Sequence, residues 1–292
     1  VKLKYPNLKT VISIGGENSA SRFSTITKTN ASIAKAARNI VNFCNNYGFD
    51  GVDLDWEFPS SPEESNQYLN LVKKLRQFLG DDKILTMAVS TNPDRHHGYV
   101  SQYMYYLNWI NVMSYNYAGS WSKYTGFNAP LYSTPNDKNK QSDSDQSIRR
   151  YIAQGIPPSK LVLGGAFYGR TWVVESSENN GFNQIGDGKV KGQSSDDDNE
   201  GVWTYYALRT EKVLKNKTTP YSPWKRTWHS SAKSPTLFNP RDNRYISYDD
   251  VESMRERVKY VKENELSGFM VWEISQDYNR ELIDAIVDEY YG

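Results

Sequence analysis

Short apolar runs alternate with longer amphipathic stretches over roughly the first 170 residues of the chain. The runs are rich in β-branched residues and are bounded by turn residues, which predicts strands. In the stretches that end at Gly48 and Gly80, apolar residues recur every three or four positions, which predicts helices with glycine at their carboxyl ends. Strands that alternate with helices in this way favour parallel βαβ units. The six predicted strands lie in KTVISIGG, GFDGVDLDWE, KILTMAVS, NWINVMSYNY, KLVLGGAFYG and LSGFMVWEIS.

The alternation stops after Arg170. Residues 171–246 are rich in Gly, Asp, Ser and Pro with aromatic islands, and helical periodicity returns only in YDDVESMRERVKYVKEN. We therefore predict a main α/β domain from residues 1–170 and 247–292, interrupted by a small α+β module at 171–246.

Composition narrows the range of partners. The 292 residues carry 35 basic and 34 acidic side chains, a net charge of +1, which argues against nucleic acid and anionic membranes. No apolar stretch approaches the length of a membrane span. The single cysteine, Cys44, excludes an internal disulfide and a cysteine-based zinc site, and we expect it to be buried. The aromatic content of 14% is high and suits stacking on sugars, although ordinary packing accounts for most such rings.

The run FDGVDLDWEFP places several acids among large apolar residues. On a strand, Asp53, Asp55 and Glu57 share one face, and like charges so close cannot all ionise in a low dielectric. A carboxyl that retains its proton near neutral pH can serve as a general acid. The alternatives are a solvated surface strand and a divalent metal site, but the three histidines show no ligand spacing.

The segment DGVDLDWE resembles the Asp-x-x-Asp-x-Asp-x-Glu signature of glycoside hydrolase family 18, the chitinases. SIGG, MSYN, FYGR and GFMVWE resemble the other strand-end motifs of that family, in the same order. The resemblance covers nearly the whole chain. It implies a TIM-type (β/α)8 barrel with an α+β insertion before the last barrel helix and strand, and action on chitin or chito-oligosaccharides without metal or cofactor.

The resemblance also implies roles for the acids. Glu57 would protonate the glycosidic oxygen, while the 2-acetamido oxygen of the substrate attacks the anomeric carbon, so that configuration is retained. Asp55 would bind the acetamido N–H, and Asp53 would share its proton. Asp50, on the opposite face of the strand, is expected to be structural.

Other positions are assigned to the substrate by the same resemblance. Tyr115 would donate to the acetamido oxygen, and Trp272 would lie beneath the sugar. The remaining expected contacts and supports are Met113, Tyr168, Arg170, Asn116, Trp121 and Ser13. Core packing for Tyr115, Trp272 and Trp121, and a structural ion pair for Arg170, are the alternatives.

Two residues depart from the family pattern. Asn116 stands where the family usually has Asp, which removes a like charge near Glu57 and predicts an acid-leaning activity profile. Glu17 replaces the usual Trp after SIGG, which predicts weaker binding on the leaving-group side.

The chain shows six barrel strands rather than eight, since its first residues lie close to the family's third strand. We therefore expect either a fragment or a barrel with an exposed edge. A homodimer or rearranged segments would cover that edge, or the cleft would be shallower and more exposed. A chitin-binding lectin and a toxin subunit that docks on chitin are the alternatives to an enzyme. We expect an extracellular location, although the chain contains no signal peptide; a cytoplasmic location is the alternative.

Overall fold

The computed structural model describes residues 2–292. The helices in this part of the chain are α1 (Ala20–Ile26), α2 (Asn30–Asn46), α3 (Pro62–Leu79), α4 (Val100–Tyr103), α5 (Ser144–Ala153), α6 (Tyr205–Thr210), α7 (Val251–Glu263) and α8 (Glu281–Tyr291). The strands are β1 (Val11–Gly15), β2 (Gly51–Asp55), β3 (Ile84–Val89), β4 (Trp109–Val112), β5 (Leu161–Ala166), β6 (Tyr168–Val174), β7 (Gly186–Asp187), β8 (Val202–Thr204), β9 (Lys225–His229), β10 (Ser234–Asn239), β11 (Arg244–Ser247) and β12 (Gly268–Trp272).

The six predicted strands are confirmed as β1 to β5 and β12, which form one six-stranded sheet within residues 2–292. The described residues divide into two compact units, residues 2–113 with 148–162 and residues 114–147 with 163–292. In the first unit, β1 to β4 pair in parallel in chain order. The register places Ser13 and Thr86 beside Asp53, one on each side.

Helices α2 and α3 pack against each other in the first unit. Both begin at a hydroxyl cap: the Thr29 side chain accepts from the Ser32 amide, and the Ser61 side chain accepts from the Glu64 amide. The predicted helix ends are confirmed: Tyr47 caps α2 just before Gly48, and Gly80 caps α3. Among residues 2–292, no helix combines the length and apolar character needed to cross a bilayer.

Cys44 lies on the buried face of α2, as expected. Its thiol faces the carbonyl oxygens of Phe49 at 3.5 Å and Gly51 at 3.6 Å. Burial raises the pKa of the thiol. The side chain therefore packs α2 against the start of β2 as a small apolar group.

The second unit contains an antiparallel sheet in the order β7-β6-β11-β10-β9, with β8 also paired to β6. Trp172, Phe238 and Tyr245 lie in a buried cluster on this sheet. The sheet covers most of the module predicted at residues 171–246, although β6 begins at Tyr168; the domain boundaries stay a prediction.

Helix α7, which the sequence predicts, carries a buried ion pair. Arg257 Nε donates to Asp249 Oδ1 at 3.2 Å, and both side chains are almost wholly excluded from solvent. A second guanidinium nitrogen donates to Ser144 Oγ at 3.2 Å. The pair fixes the start of α7 within the second unit.

Candidate active site

Three acids follow one another at the carboxyl end of β2. Asp53 and Asp55 lie in the strand, and Glu57 lies two residues beyond it. The intervening Val52, Leu54 and Trp56 are fully buried, whereas all three acids are partly buried. The predicted alternation of the two faces is confirmed.

Asp53 lies at the centre of a hydrogen-bond network that joins four strands. Its Oδ2 accepts from Ser13 Oγ at 2.8 Å, and its Oδ1 accepts from Thr86 Oγ1 at 2.6 Å and from Asn111 Nδ2 at 3.3 Å. Burial raises the pKa of the Asp53 carboxyl, and these three donors oppose the rise. Among residues 2–292, these hydroxyl and amide donors fix the carboxyl and no ion pair to it is seen.

The pKa values of the next two acids rise toward neutral pH. Burial and the charge of Asp53 raise the pKa of Asp55 to about 6. Burial, the charge of Asp55 and the charge of Glu17 raise the pKa of Glu57 to about 7. Glu57 therefore keeps its proton at slightly acidic pH, as a general acid must.

Asp50 has a different environment, at the other end of β2. Its Oδ2 accepts from the Thr10 amide at 2.7 Å, and Oδ1 accepts from Lys2 Nζ at 2.9 Å. These contacts lower the pKa of Asp50 to about 2, with the Thr10 amide as the main cause. Asp50 thus holds the starts of β1 and β2 together, as expected for a structural acid.

The turn after β1 closes over the end of β2. The Gly16 amide donates to the Asp55 carbonyl at 2.9 Å, and the Ser19 amide donates to the Gly16 carbonyl at 2.9 Å. Gly15 has a φ of 137°, and a Cβ there would collide with the carbonyl oxygen of Asp55. The glycine of SIGG therefore permits the close approach of two strands beside the acids.

In the second unit, the side-chain oxygen of Asn116 accepts hydrogen bonds from two residues. Its Oδ1 accepts from Tyr168 OH at 2.9 Å and from Arg170 Nη2 at 3.2 Å and Nε at 3.4 Å. Asn116 adopts a φ of 58°, in the left-handed region that Asn tolerates better than most residues. The Tyr115 and Tyr168 rings meet edge to face, 6.1 Å apart. The second unit thus brings together four of the predicted substrate residues.

Arg170 connects this group to Trp121. The guanidinium lies 5.3 Å from the centre of the Trp121 ring and 5.7 Å from that of Tyr168. It also donates to the carbonyl oxygen of Glu200 at 3.2 Å. Cation–π contact holds Trp121 in place while 59% of the residue remains exposed.

The other predicted substrate residues differ in exposure. Trp272, the last residue of β12, is 54% exposed, whereas Tyr115 is 8% exposed and has its hydroxyl 4.0 Å from Met270 Sδ. Met113 follows β4, and its amide donates to the Val89 carbonyl at 2.9 Å. The substrate roles of these residues stay predictions.

Ser13 is predicted from the sequence as a support for the acids, whereas Thr86 and Asn111 are not. Both are polar residues inside otherwise apolar strands, ILTMAV and WINV, and this interruption is the signal that points to them. The electrostatic effect of Glu17 on Glu57 is likewise not predicted from the sequence. In the part of the chain that the structure describes, no group of three or more His, Cys, Asp or Glu could hold a metal ion.

The model for glycosyl hydrolases family 18 matches residues 1–277. Chitinase A1 of Niallia circulans is 35% identical over 97% of this chain and 42% of its own length, and Chitinase 1 of Aphanocladium album is 29% identical over 94% and 63%. The chain thus spans less than two thirds of the length of each of these two relatives.

A class V chitinase mutant from Nicotiana tobaccum, solved in complex with NAG4, superposes with a TM-score of 0.86 at 25% identity over 100% of this chain and 83% of that one. This agreement supports the expected TIM-type (β/α)8 barrel fold. The strand-end motifs, the fold and the family match agree: the chain belongs to glycosyl hydrolase family 18.

Proposed function

We propose that this chain hydrolyses β-1,4 linkages between N-acetylglucosamine units of chitin or chito-oligosaccharides, with Glu57 as the general acid. The observation that carries the proposal is the series of acids at the end of β2, in which the pKa of Glu57 rises to about 7. A relative of the same fold in complex with NAG4 supports the substrate class.

In the proposed reaction, Glu57 gives its proton to the glycosidic oxygen as the bond from that oxygen to the anomeric carbon breaks. The 2-acetamido oxygen of the substrate forms a new bond to the anomeric carbon and gives an oxazolinium ion. Glu57, now a carboxylate, takes a proton from water as the water oxygen bonds to the anomeric carbon. The bond from that carbon to the acetamido oxygen breaks, which restores the acetamide. Two inversions at the anomeric carbon leave its configuration retained.

Asp55 is proposed to accept a hydrogen bond from the acetamido N–H and to stabilise the positive charge of the oxazolinium ion. Its pKa of about 6 places a negative charge at this position near neutral pH. The donors around Asp53 hold the second carboxyl in place behind it. Tyr115 and Trp272 keep the roles that the family resemblance gives them.

The test is the release of reducing ends from chito-oligosaccharides by the parent chain and by Glu57→Gln. Loss of a positioned general acid should lower the rate by about two orders of magnitude or more. Glu63→Gln, the same change at an exposed position on α3, serves as the matched control and should retain activity. If both the parent and Glu57→Gln bind the oligosaccharide and neither cleaves it, the proposal of hydrolysis fails in favour of a lectin.

A further inference from the structure

Glu17 and Glu57 follow the carboxyl ends of two paired strands, β1 and β2. Gly15 of β1 pairs with Asp55 of β2, so Glu17 and Glu57 each stand two residues past a matched pair. The turn of residues 16–19 is tied to the Asp55 carbonyl by the Gly16 amide at 2.9 Å. This bond keeps the Glu17 backbone next to the segment that carries the general acid.

The Glu17 side chain is exposed, and its negative charge reaches Glu57. The charges that act on Glu57 come from Asp55 and Glu17, and both are negative. A general acid contacts the oxygen that leaves with the departing sugar. An exposed carboxylate next to that acid is therefore well placed to meet the departing sugar, and its field favours a positively charged group there.

We propose that Glu17 is a specificity residue that binds the protonated 2-amino group of the first sugar on the leaving-group side. The preferred substrate is then partly N-deacetylated chitin in which glucosamine follows the scissile bond. This inference rests on the proposed function, because the sugar that is cleaved must keep the acetyl group that supplies its nucleophile. The sugar before the scissile bond is thus selected for its acetyl group, and the sugar after the bond is selected for a free, protonated amine.

The size of the effect follows from the exposure of Glu17. Exposed ion pairs support a discrimination of about two- to five-fold, and salt weakens them. A carboxylate that served only to raise the pKa of Glu57 would show no selectivity between glucosamine and N-acetylglucosamine at the leaving-group position. The selectivity of cleavage therefore separates a binding role from a purely electrostatic one.

The experiment is a limited digest of partly N-acetylated chitosan at low salt and about pH 6, where amines of this kind are protonated. Mass-spectrometric sequencing of the products identifies the new chain ends. We expect glucosamine to be enriched about two- to five-fold at new non-reducing ends relative to the polymer, and the enrichment to fall in high salt. Glu17→Gln should abolish the enrichment. Asp82→Asn, an exposed charge removal just before β3 at the opposite end of the sheet, should leave it intact.

The two proposals fail in different ways. Enrichment that is absent in the parent chain, or that survives Glu17→Gln, overturns the role of Glu17, while cleavage itself still supports the proposed function. Glucosamine at the new reducing ends overturns the substrate-assisted mechanism instead. If no cleavage occurs, the affinities of glucosamine and N-acetylglucosamine tetramers decide: a preference for glucosamine that Glu17→Gln removes supports the inference, and an unchanged ratio overturns it.

Discussion

Replacing Thr86 with valine removes one donor from Asp53 and changes little else. The two side chains have similar shapes, and Thr86 is 2% exposed, so water cannot easily replace the hydroxyl. The lost bond is the 2.6 Å contact from Thr86 Oγ1 to Asp53 Oδ1. Thr86→Ser keeps a hydroxyl at the same position and is the matched control.

The loss of stability in Thr86→Val depends on whether the Asp53 carboxyl is ionised. A hydrogen bond to a charged group contributes about 1.5–3 kcal/mol to stability, and one to a neutral group about 0.5–1.5 kcal/mol. Burial already raises the native pKa of Asp53 above its usual 3.8. The native state therefore binds more protons than the unfolded chain between these two pKa values, and stability falls as pH rises through that window. Thr86→Val raises the native pKa further, so its cost should be larger at neutral than at acidic pH.

Urea unfolding at about pH 4 and about pH 7 measures this difference. We expect Thr86→Val to lower the free energy of unfolding by about 1.5–3 kcal/mol at the higher pH and by about 0.5–1.5 kcal/mol at the lower one. Equal losses at both pH values would refute the claim that Thr86 supports a charged Asp53. A loss of the same size in Thr86→Ser would assign the effect to packing instead of the hydroxyl.

The remaining predictions concern the pH profile and the buried ion pair. Activity should rise as Asp55 ionises near its pKa of about 6 and fall as Glu57 loses its proton near its pKa of about 7. An optimum above pH 7 in a pH–rate profile would contradict these two assignments. Because Glu17 adds a like charge, Glu17→Gln should lower the pKa of Glu57 and move the upper limb of that profile to lower pH. Asp249→Asn removes the carboxylate that pairs with the buried Arg257. It should lower the free energy of unfolding in urea by about 3–5 kcal/mol. A loss below about 1 kcal/mol would refute the prediction that this pair stabilises the fold.

The spacing of apolar residues predicts those helices and strands that bury one face. Helix α2 buries Ile33, Ala37, Val41 and Cys44 at a spacing of three or four residues. Helix α8 has the same kind of pattern in ELIDAIVDEYY, although it is not among the helices predicted from the sequence. Local patterns therefore suffice for elements whose apolar positions face a single core.

The support around Asp53 could not be predicted in the same way, because it depends on which strands lie side by side. Thr86 and Asn111 are 33 and 58 residues from Asp53 in the chain, and only the register of β3 and β4 brings them to its carboxyl. The charge of Glu17 acts on Glu57 through a turn whose geometry is set by glycine backbone angles. Neither the support of Asp53 nor the effect of Glu17 on Glu57 produces a repeating pattern in the sequence.

A protein with one thiol carries a built-in probe of local opening. Cys44 is enclosed between α2 and the first residue of β2, so a thiol reagent can reach it only when that contact separates. The rate of labelling under native conditions would report how often the strand that carries the acids loses its supporting helix. Since Cys44 is the only cysteine in the chain, all of the labelling reports on this one site.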